Sequence, residues 1–489
     1  METAANSTAS VNAKKLFLGS CVSLIATSVA FATVGAVMGH LKTEFGLTNQ
    51  DIGWIGGAAL WGFAVSQLIF SPLADTLGMR ALLRMAFVGH LIGTLIMIFA
   101  TGFATLFLGA LVIAMANGLV EAACNPLVAT LFPDNKTVKL NQFHVWFPGG
   151  IVLGGLASYL LDQVGITSWQ VKLALILIPT IAYGVIMLSE RFPATEGVQK
   201  GVSMGEMFKA SLTRPLMLLM LLAMAMTASI ELGPNRWLPA VLESGGMPGI
   251  LVLVWVTGLM AVMRYFAGPL VHRLSPTGIL LASSVISAVG LLWLSYAESL
   301  GVALAAATIF AVGVCYFWPT MLGFVSERIP RSGALGLGLM GAMGMAVVGI
   351  ITSPRMGTIA DRYAHEQLPV FETVELFEEV QTNLADEAET NPDADAAVTA
   401  ANNVLEMYRK DGRMPENVTA NALRATINSG VDDPVVAHAS AILQPADNYG
   451  GRVSFRRLVP LCGILFLIFG FLYVQDRKAG GYKVVAIDE

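Results

Sequence analysis

The chain has 489 residues, of which 55% are hydrophobic and only 13% are charged, and its mean hydropathy is +0.67. A soluble protein carries about twice that share of charged residues, so the composition excludes an ordinary soluble domain and indicates a membrane protein. The sequence contains no metal-ligand cluster, nucleotide-binding glycine loop or nucleophile elbow. We therefore expect neither an enzyme nor an ATP-driven pump, and no cofactor or metal.

Apolar runs long enough to cross about 30 Å of hydrocarbon recur along the whole chain. Backbone groups in hydrocarbon must bond one another, so we expect helices rather than a barrel. The fold class is an all-α membrane protein with twelve transmembrane helices. The predicted spans are 16–39, 53–74, 81–100, 105–131, 140–161, 171–189, 215–242, 250–271, 278–296, 300–324, 334–359 and 457–475.

Lysine and arginine residues collect in alternate loops, including those that hold Lys14, Lys15, Arg80, Arg84 and Arg191. Loops rich in these residues face the cytoplasm, so we expect both termini to be cytoplasmic. We expect a multi-pass protein of the bacterial inner membrane, present as a monomer. Its partners would be the lipid bilayer, a small solute and protons, and no nucleic acid.

The two halves of the chain repeat weakly. The segment SPLADTL at 71–77 recurs as GPLVHRL at 268–274, and residues 150–162 can be laid on 349–361 at nearly the same offset. This spacing favours duplication of a six-span unit. The predicted domains are an N-terminal six-helix half at 1–190, a cytoplasmic linker at 191–214, spans 7–11 at 215–362, an acidic extracytoplasmic insertion at 363–452, and span 12 with a cytoplasmic tail at 453–489.

The segment from 363 to 452 differs from the rest of the chain, because it holds 16 acidic residues and only five basic ones. Apolar residues at helical spacing within it predict a small helical cap over the outer mouth. The alternative is an inert insertion in a tolerant loop.

Glu121 is the most informative residue, because no other charge occurs between Leu106 and Phe132. Asn117, Glu121 and Asn125 are four residues apart and form one polar stripe on a helix. A charge at this depth normally faces protein or a water-filled path, so we expect the stripe to bind solute or protons. The alternative is a structural glutamate satisfied by a neighbouring span.

The segment SPLADTLGMR at 71–80 resembles the loop motif G-x-x-x-D-R-x-G-R-R of the major facilitator superfamily. Asp75, Gly78 and Arg80 occupy motif positions. The resemblance implies the major facilitator fold of two six-helix halves, with gating roles for these three residues. Gly78 permits the tight turn between two spans. The alternative for Asp75 is a solvated loop charge.

Three further segments resemble the fucose:proton symporter family, and they are GLVEAACNPLVATLFPDNKTVKLNQFHVWFPGGIVLGG at 118–155, FWPTMLGFVSERIP at 317–330 and GIITSPRMGTIADRY at 349–363. The resemblance implies proton coupling at Glu121 and substrate contacts at Asn125 and Asn141. The family's acid in span 1 is replaced here by Gly35, and its span 5 glutamine by His144.

Span 7 supplies a second set of candidates. Glu231 lies well inside the span. We expect Gly233 and Pro234 to break the helix before Asn235 and Trp237. Glu231 could replace the missing span 1 acid as a proton-coupling group, while Asn235 and Trp237 could bind a sugar. The alternatives are pairing of Glu231 with a cation and anchoring of Trp237 at the membrane interface.

Spans 5, 8 and 10 add polar and aromatic candidates. Arg264 in span 8 is a buried charge that needs a carboxylate, and we assign it to gating. His144 could exchange protons or bind substrate, because an imidazole ordinarily titrates near neutrality; the alternative is helix packing. Tyr316 and Trp318 flank Pro319 in span 10 and would line a moving aromatic gate, with core packing as the alternative.

These patterns and resemblances predict a secondary active transporter that moves a small polar solute, most consistent with a monosaccharide, by alternating access with proton coupling. A uniporter or a carrier of a different small solute remains open, because Gly35 removes a family acid. A different class is a non-transporting solute sensor that contacts a partner through its acidic cap.

Overall fold

The computed structural model describes residues 11–187 and 189–487, apart from the side chains of Asn49 and Asn417. The two extreme ends, which the sequence analysis assigns to the cytoplasm, lie outside the described residues. Throughout the described ranges all regular secondary structure is helical. The all-α prediction is therefore confirmed.

Twelve apolar helical segments of the described chain match the twelve predicted spans, eleven of them long enough to cross a membrane and one shorter. The protein is thus an integral, multi-pass membrane protein. Spans 1–12 are, in chain order, Ala13–Glu44, Gln50–Phe70, Met79–Ile98, Phe103–Leu131, Pro133–Gln163, Trp169–Met187, Pro215–Glu243, Gly249–Tyr265, Ala267–Leu294, Leu300–Arg328, Pro330–His365 and Pro434–Lys478.

Several spans are interrupted, but span 7 is not: the break expected at Gly233 and Pro234 is wrong, because Pro215–Glu243 is one helix. Span 5 consists of helices Lys136–Phe143 and Trp146–Gln163, span 6 of Trp169–Ala174 and Leu177–Met187, span 10 of Leu300–Val314 and Phe317–Arg328, and span 11 of Gly333–Val347, a wide turn at Val348–Thr352 and Ser353–His365. Pro148 and Pro319 follow the breaks in spans 5 and 10. Proline has no N–H group, so the carbonyl four residues earlier loses its helical partner.

The described chain ends lie on the same face of the bundle as the linker. Lys15 at the start of span 1 forms an ion pair with Glu190 at 2.6 Å. The N–H of Val485 in the tail donates to the carbonyl of Glu327 at the end of span 10, at 2.8 Å. We call this side the terminal face, and the opposite side, which carries the residues between spans 11 and 12, the insertion face.

The insertion is a small helical body with its own apolar core. Its helices are Val370–Asn383, Ala385–Ala388, Pro392–Asp411 and Glu416–Ile427. They are followed by Pro434–Arg456, the first of the two helices of span 12, and then by Val459–Lys478. Arg424 bridges Asp361 of span 11 and Asp447 at 3.4 and 2.9 Å. The insertion is therefore fastened to the C-terminal half. The sequence-derived limits of this and the other domains stay predictions.

Spans 2 and 11 bring the two halves into close contact. Gly338 faces Ser71 and Gly341 faces Gln67, and a Cβ atom on either glycine would overlap its neighbour. Small residues allow such an approach between membrane helices. Span 11 therefore lies directly against the N-terminal half.

The insertion offers a matched pair of phenylalanines on one helix. Phe377 is 0% exposed in the insertion core, whereas Phe371 is 87% exposed. We expect Phe377→Ala to destabilise the insertion by about 3–5 kcal/mol, because it removes a buried ring and leaves a cavity. Phe371→Ala should have little effect. Hydrogen–deuterium exchange of peptides from 366–434 measures both, and equal protection in the two variants would contradict the described core.

Candidate substrate cavity

A small cavity lies between the two halves. The N-terminal half contributes Phe63, Glu121, His144 and Phe147, and the C-terminal half contributes Leu232, Glu231, Arg264, Trp318 and Met345. Residues from spans 2, 4, 5, 7, 8, 10 and 11 therefore converge on one small space.

Glu121 is 2% exposed and lies on the N-terminal side of this cavity. Its Oε2 accepts hydrogen bonds from Gln67 Nε2 and Asn125 Nδ2, each at 3.3 Å. Asn125 Oδ1 in turn lies 3.1 Å from His144 Nε2, which fits donation by the imidazole to the amide oxygen. Glu121, Asn125 and His144 thus form one polar chain along spans 4 and 5.

Arg264 joins the two halves by donating hydrogen bonds to two backbone carbonyls, one in span 5 and one in span 10. Its Nη1 donates to the carbonyl of His144 at 3.1 Å, and its Nε donates to the carbonyl of Cys315 at 2.5 Å. These residues lie four positions before Pro148 and Pro319, so neither carbonyl has an N–H partner within its own helix. The guanidinium is planar and presents five donors, which lets it serve two carbonyls and a carboxylate together.

The carboxylate partner of Arg264 is Glu231 of span 7. Arg264 Nη2 lies 2.8 Å from Glu231 Oε1, and both side chains are almost fully buried. This pairing is one that the sequence analysis proposed for Arg264. A buried charge is tolerated when it is paired and hydrogen-bonded, which both members of this pair are.

Two polar atoms at the cavity have no hydrogen-bond partner among the described residues. They are Glu231 Oε2, an acceptor, and Trp318 Nε1, a donor. Buried polar groups normally find partners, so these atoms are suited to a bound solute. Phe63 and Phe147 line the N-terminal side, and both rings lie near Phe31 of span 1.

Asn117 lies on the same helix stripe as Glu121 but does not line the cavity. Its Oδ1 lies 2.8 Å from His90 Nε2, and His90 Nδ1 lies 3.1 Å from the Tyr183 hydroxyl. This arrangement fits a neutral imidazole that donates to Asn117 and accepts from Tyr183. The cluster joins spans 3, 4 and 6 within the N-terminal half.

The remaining predicted binding residues lie around the cavity rather than in its wall. Asn141 Nδ2 donates to Thr320 Oγ1 across the halves at 3.3 Å. The Tyr316 hydroxyl donates to the carbonyl of Met263 at 2.9 Å. Asn235 is half-buried near Met260, and Trp237 packs towards Gly357 of span 11.

The terminal face is closed by a carboxylate that the sequence analysis did not single out. Glu327 Oε1 accepts from the N–H and the hydroxyl of Thr137 in span 5, at 3.0 and 2.7 Å. Its Oε2 accepts from the hydroxyl of Tyr482 in the tail at 2.7 Å. Burial and the neighbouring Glu327 carboxylate raise the pKa of Tyr482 well above its usual value, which keeps the hydroxyl a donor.

The predicted loop motif lies on the same face. Asp75 accepts a hydrogen bond from Thr195 of the linker at 2.6 Å, and its other oxygen lies beside Gly333, where the helix of span 11 begins. Burial raises the pKa of Asp75 above its usual value. Gly78 has φ +81°, a conformation that L residues avoid, and Arg80 lies half-buried in the next turn.

Sequence reasoning missed Gln67, Phe63, Met345 and Glu327. Gln67 could have been found, because an amide inside the apolar run of span 2 is unusual. Phe63 and Met345 carry no such signal, since apolar residues fill every span. Glu327 lies at a span end, where a charge is ordinary.

The sequence profile described as Major Facilitator Superfamily matches residues 16–369 of the chain. A curated relative, the putative niacin/nicotinamide transporter of Bacillus subtilis, is 25% identical over 344 residues, which are 67% of this chain and 84% of that protein. Proteins of this family are transporters rather than enzymes, in agreement with the sequence prediction.

Solved structures of two transporters share the fold. FucP in its outward conformation matches with a TM-score of 0.59 and 20% identity, over 71% of this chain and 92% of that one. The proton:xylose symporter XylE, bound to 6-bromo-6-deoxy-D-glucose, matches with a TM-score of 0.60 and 14% identity, over 71% and 89%. With the profile covering most of the chain, the protein belongs to the major facilitator superfamily.

Proposed function

We propose that this transporter carries a neutral monosaccharide together with a proton, by alternating access of the central cavity. The observation that carries the proposal is the pair of unsatisfied atoms at the cavity, Glu231 Oε2 and Trp318 Nε1. A hydroxyl group both donates and accepts, so the hydroxyls of a sugar can satisfy an acceptor and a donor together. Aromatic rings such as that of Trp318 pack well on the apolar face of a sugar ring.

The charge balance of the cavity favours a neutral solute. Arg264 is the only lysine or arginine among the cavity-lining residues, and its charge is already matched by Glu231 at 2.8 Å. A carboxylate substrate would have to displace Glu231 and leave that acid buried without its partner, which is costly. The relative named for niacin keeps a carboxylate substrate as the second candidate.

Glu121 is the group we assign to proton coupling. It is buried and forms no ion pair with a lysine or arginine among the described residues, and its hydrogen bonds come from the neutral amides of Gln67 and Asn125. Burial in such surroundings favours the neutral acid, so the side chain can take up and release a proton as water access changes. His144 connects to it through Asn125. Glu231 keeps the charge of Arg264 balanced.

Alternating access requires that one face close while the other opens. The hydrogen bonds between the halves in the described chain lie at the cavity or towards the terminal face, at Arg264, Asn141, Lys136 and Thr137. This distribution supports a state that is held shut at the terminal face. Glu327 and Asp75 are the gating carboxylates of that face.

Glu121→Gln tests the coupling assignment. The probe is the monosaccharide that most raises the melting temperature of the purified protein in a panel of pentoses, hexoses and deoxyhexoses. In proteoliposomes with an imposed pH gradient, we expect Glu121→Gln to lose at least about tenfold in proton-driven accumulation, because the amide cannot carry a proton. Exchange of solute across the membrane without net proton movement should continue.

Glu298→Gln is the matched control, since that glutamate is 80% exposed. It should accumulate solute as the parent does. Undiminished proton-driven accumulation in Glu121→Gln would reject Glu121 as the coupling site. Stabilisation by aromatic carboxylates and by no sugar in the panel would instead reject the proposed substrate class.

A labelling experiment tests the terminal-face gate. Gly35 lies one helical turn from Phe31 on the face of span 1 that meets cavity-lining rings, and it has open space beside it. The four native cysteines are buried, so maleimide labelling of Gly35→Cys reports opening towards the insertion face. We expect Glu327→Ala to slow this labelling about fivefold or more, because it removes the bonds to Thr137 and Tyr482.

Glu298→Ala in the same Gly35→Cys background is the control. It removes an exposed carboxylate on the insertion face and should leave the labelling rate unchanged. If Glu327→Ala labels as fast as the control, the bonds at Glu327 do not hold the terminal face shut.

A further inference from the structure

Gln67, one turn from the C-terminal end of span 2, is a polar side chain that is 0% exposed. Its Nε2 donates to Glu121 Oε2 at 3.3 Å. Its Oε1 is buried and has no hydrogen-bond partner among the described residues. One end of the amide is thus engaged with the proposed proton site, and the other end is an unused acceptor.

The far side of Gln67 meets the other half of the protein. A Cβ atom on Gly341 of span 11 would lie 2.8 Å from Gln67 Cδ and still closer to the amide oxygen. The glycine therefore leaves just enough room for the amide. Met345, one turn further along span 11, lines the cavity. Gln67 therefore lies between Glu121 and span 11, a helix that must shift when the two halves rock.

The hydrogen-bond chemistry of Glu121 changes with its proton. An ionised carboxylate only accepts, and it can be served by Gln67 Nε2 and Asn125 Nδ2. A protonated carboxyl group also donates and needs an acceptor nearby. Asn125 Oδ1 is already engaged by His144. The unused Gln67 Oε1 is the acceptor within reach, once the amide turns over.

We propose that Gln67 is a positioning residue that couples the protonation of Glu121 to the contact between spans 2 and 11. Protonation turns the amide so that Oε1 accepts from Glu121, and the NH₂ group then faces Gly341. This exchange alters a close contact between the halves. The inference deepens the proposed function and rests on Glu121 as the coupling site.

The neighbouring ionisable groups do not connect Glu121 to span 11 in this way. Those that face Glu121 from its own and the adjoining spans are Cys124, His144, Glu231 and Arg264. Arg264 is held by Glu231 and by two carbonyls. Among the hydrogen-bond partners of Glu121, Gln67 is the one that also touches span 11.

The test measures maleimide labelling of Gly35→Cys from acidic to mildly alkaline pH, and it needs no substrate. Each labelling rate is divided by the rate of the exposed Glu298→Cys at the same pH, because the thiolate fraction itself rises with pH. In the parent, the labelling rate should change about fivefold or more over this range, as expected for sites coupled by 1–3 kcal/mol. Gln67→Met has a similar volume and no hydrogen-bonding groups, and it should flatten the pH profile. Gln163→Met, the same change at an exposed position, should keep the parent profile.

A second measurement stays informative even if Gln67→Met lowers expression. Gly341→Ala places a methyl group against the amide of Gln67. This clash should separate the two halves at the terminal face and so slow the labelling of Gly35→Cys. Adding Gln67→Ala should restore the parent rate, because it removes the atoms that the methyl group meets. Gly258→Ala is the control, since nothing lies within 4 Å of that position.

The outcomes separate the two proposals. Glu121→Gln should also flatten the pH profile, and a profile that survives this change overturns the proposed coupling site itself. If Glu121→Gln flattens the profile but Gln67→Met does not, only the role of Gln67 is overturned. Failure of Gln67→Ala to relieve Gly341→Ala also overturns it.

Discussion

One buried guanidinium holds the centre of this structure together. Arg264 donates to carbonyls in spans 5 and 10 that proline has left without partners, and it neutralises Glu231 of span 7. One of these carbonyls belongs to each half, so the side chain ties the halves at the level of the cavity. Removing one member of a buried ion pair typically costs about 3–5 kcal/mol, and here two carbonyls would be stranded as well.

The same prolines account for the shape of the cavity. Pro148 and Pro319 break their helices beside the cavity, and broken backbone in a membrane is tolerated where it lines such a space or is satisfied by other groups. Arg264 is bound to Glu231 and to the two carbonyls. The cavity therefore offers a solute mainly neutral hydrogen-bond donors and acceptors and aromatic rings. Glu121, the proposed coupling group, has two neutral amides as its hydrogen-bond partners among the described residues. The buried ion pair and the proposed proton site thus lie on opposite halves.

The sequence predicted the twelve spans and the main charged residues of the cavity, because charges in apolar helices are rare. It did not predict which neighbour each polar residue meets. Asn117 shares a helix face with Glu121, yet its side chain is hydrogen-bonded to His90 of span 3 and does not line the cavity. Tyr482 and Glu327 lie 155 residues apart, and no periodicity links them. Helix pattern fixes which residues share a face, whereas packing between helices decides their partners.

Thermal unfolding of a double-mutant cycle at Arg264 and Pro148 measures the central contact most directly. Arg264→Lys keeps the charge but cannot serve three partners, and we expect a loss of about 1–3 kcal/mol. Adding Pro148→Ala should recover part of this loss, because the new N–H can bond the carbonyl of His144. The same change should raise the stability less when Arg264 is intact. Equal melting temperatures for Arg264→Lys and the parent, or an equal effect of Pro148→Ala in both backgrounds, would contradict this account.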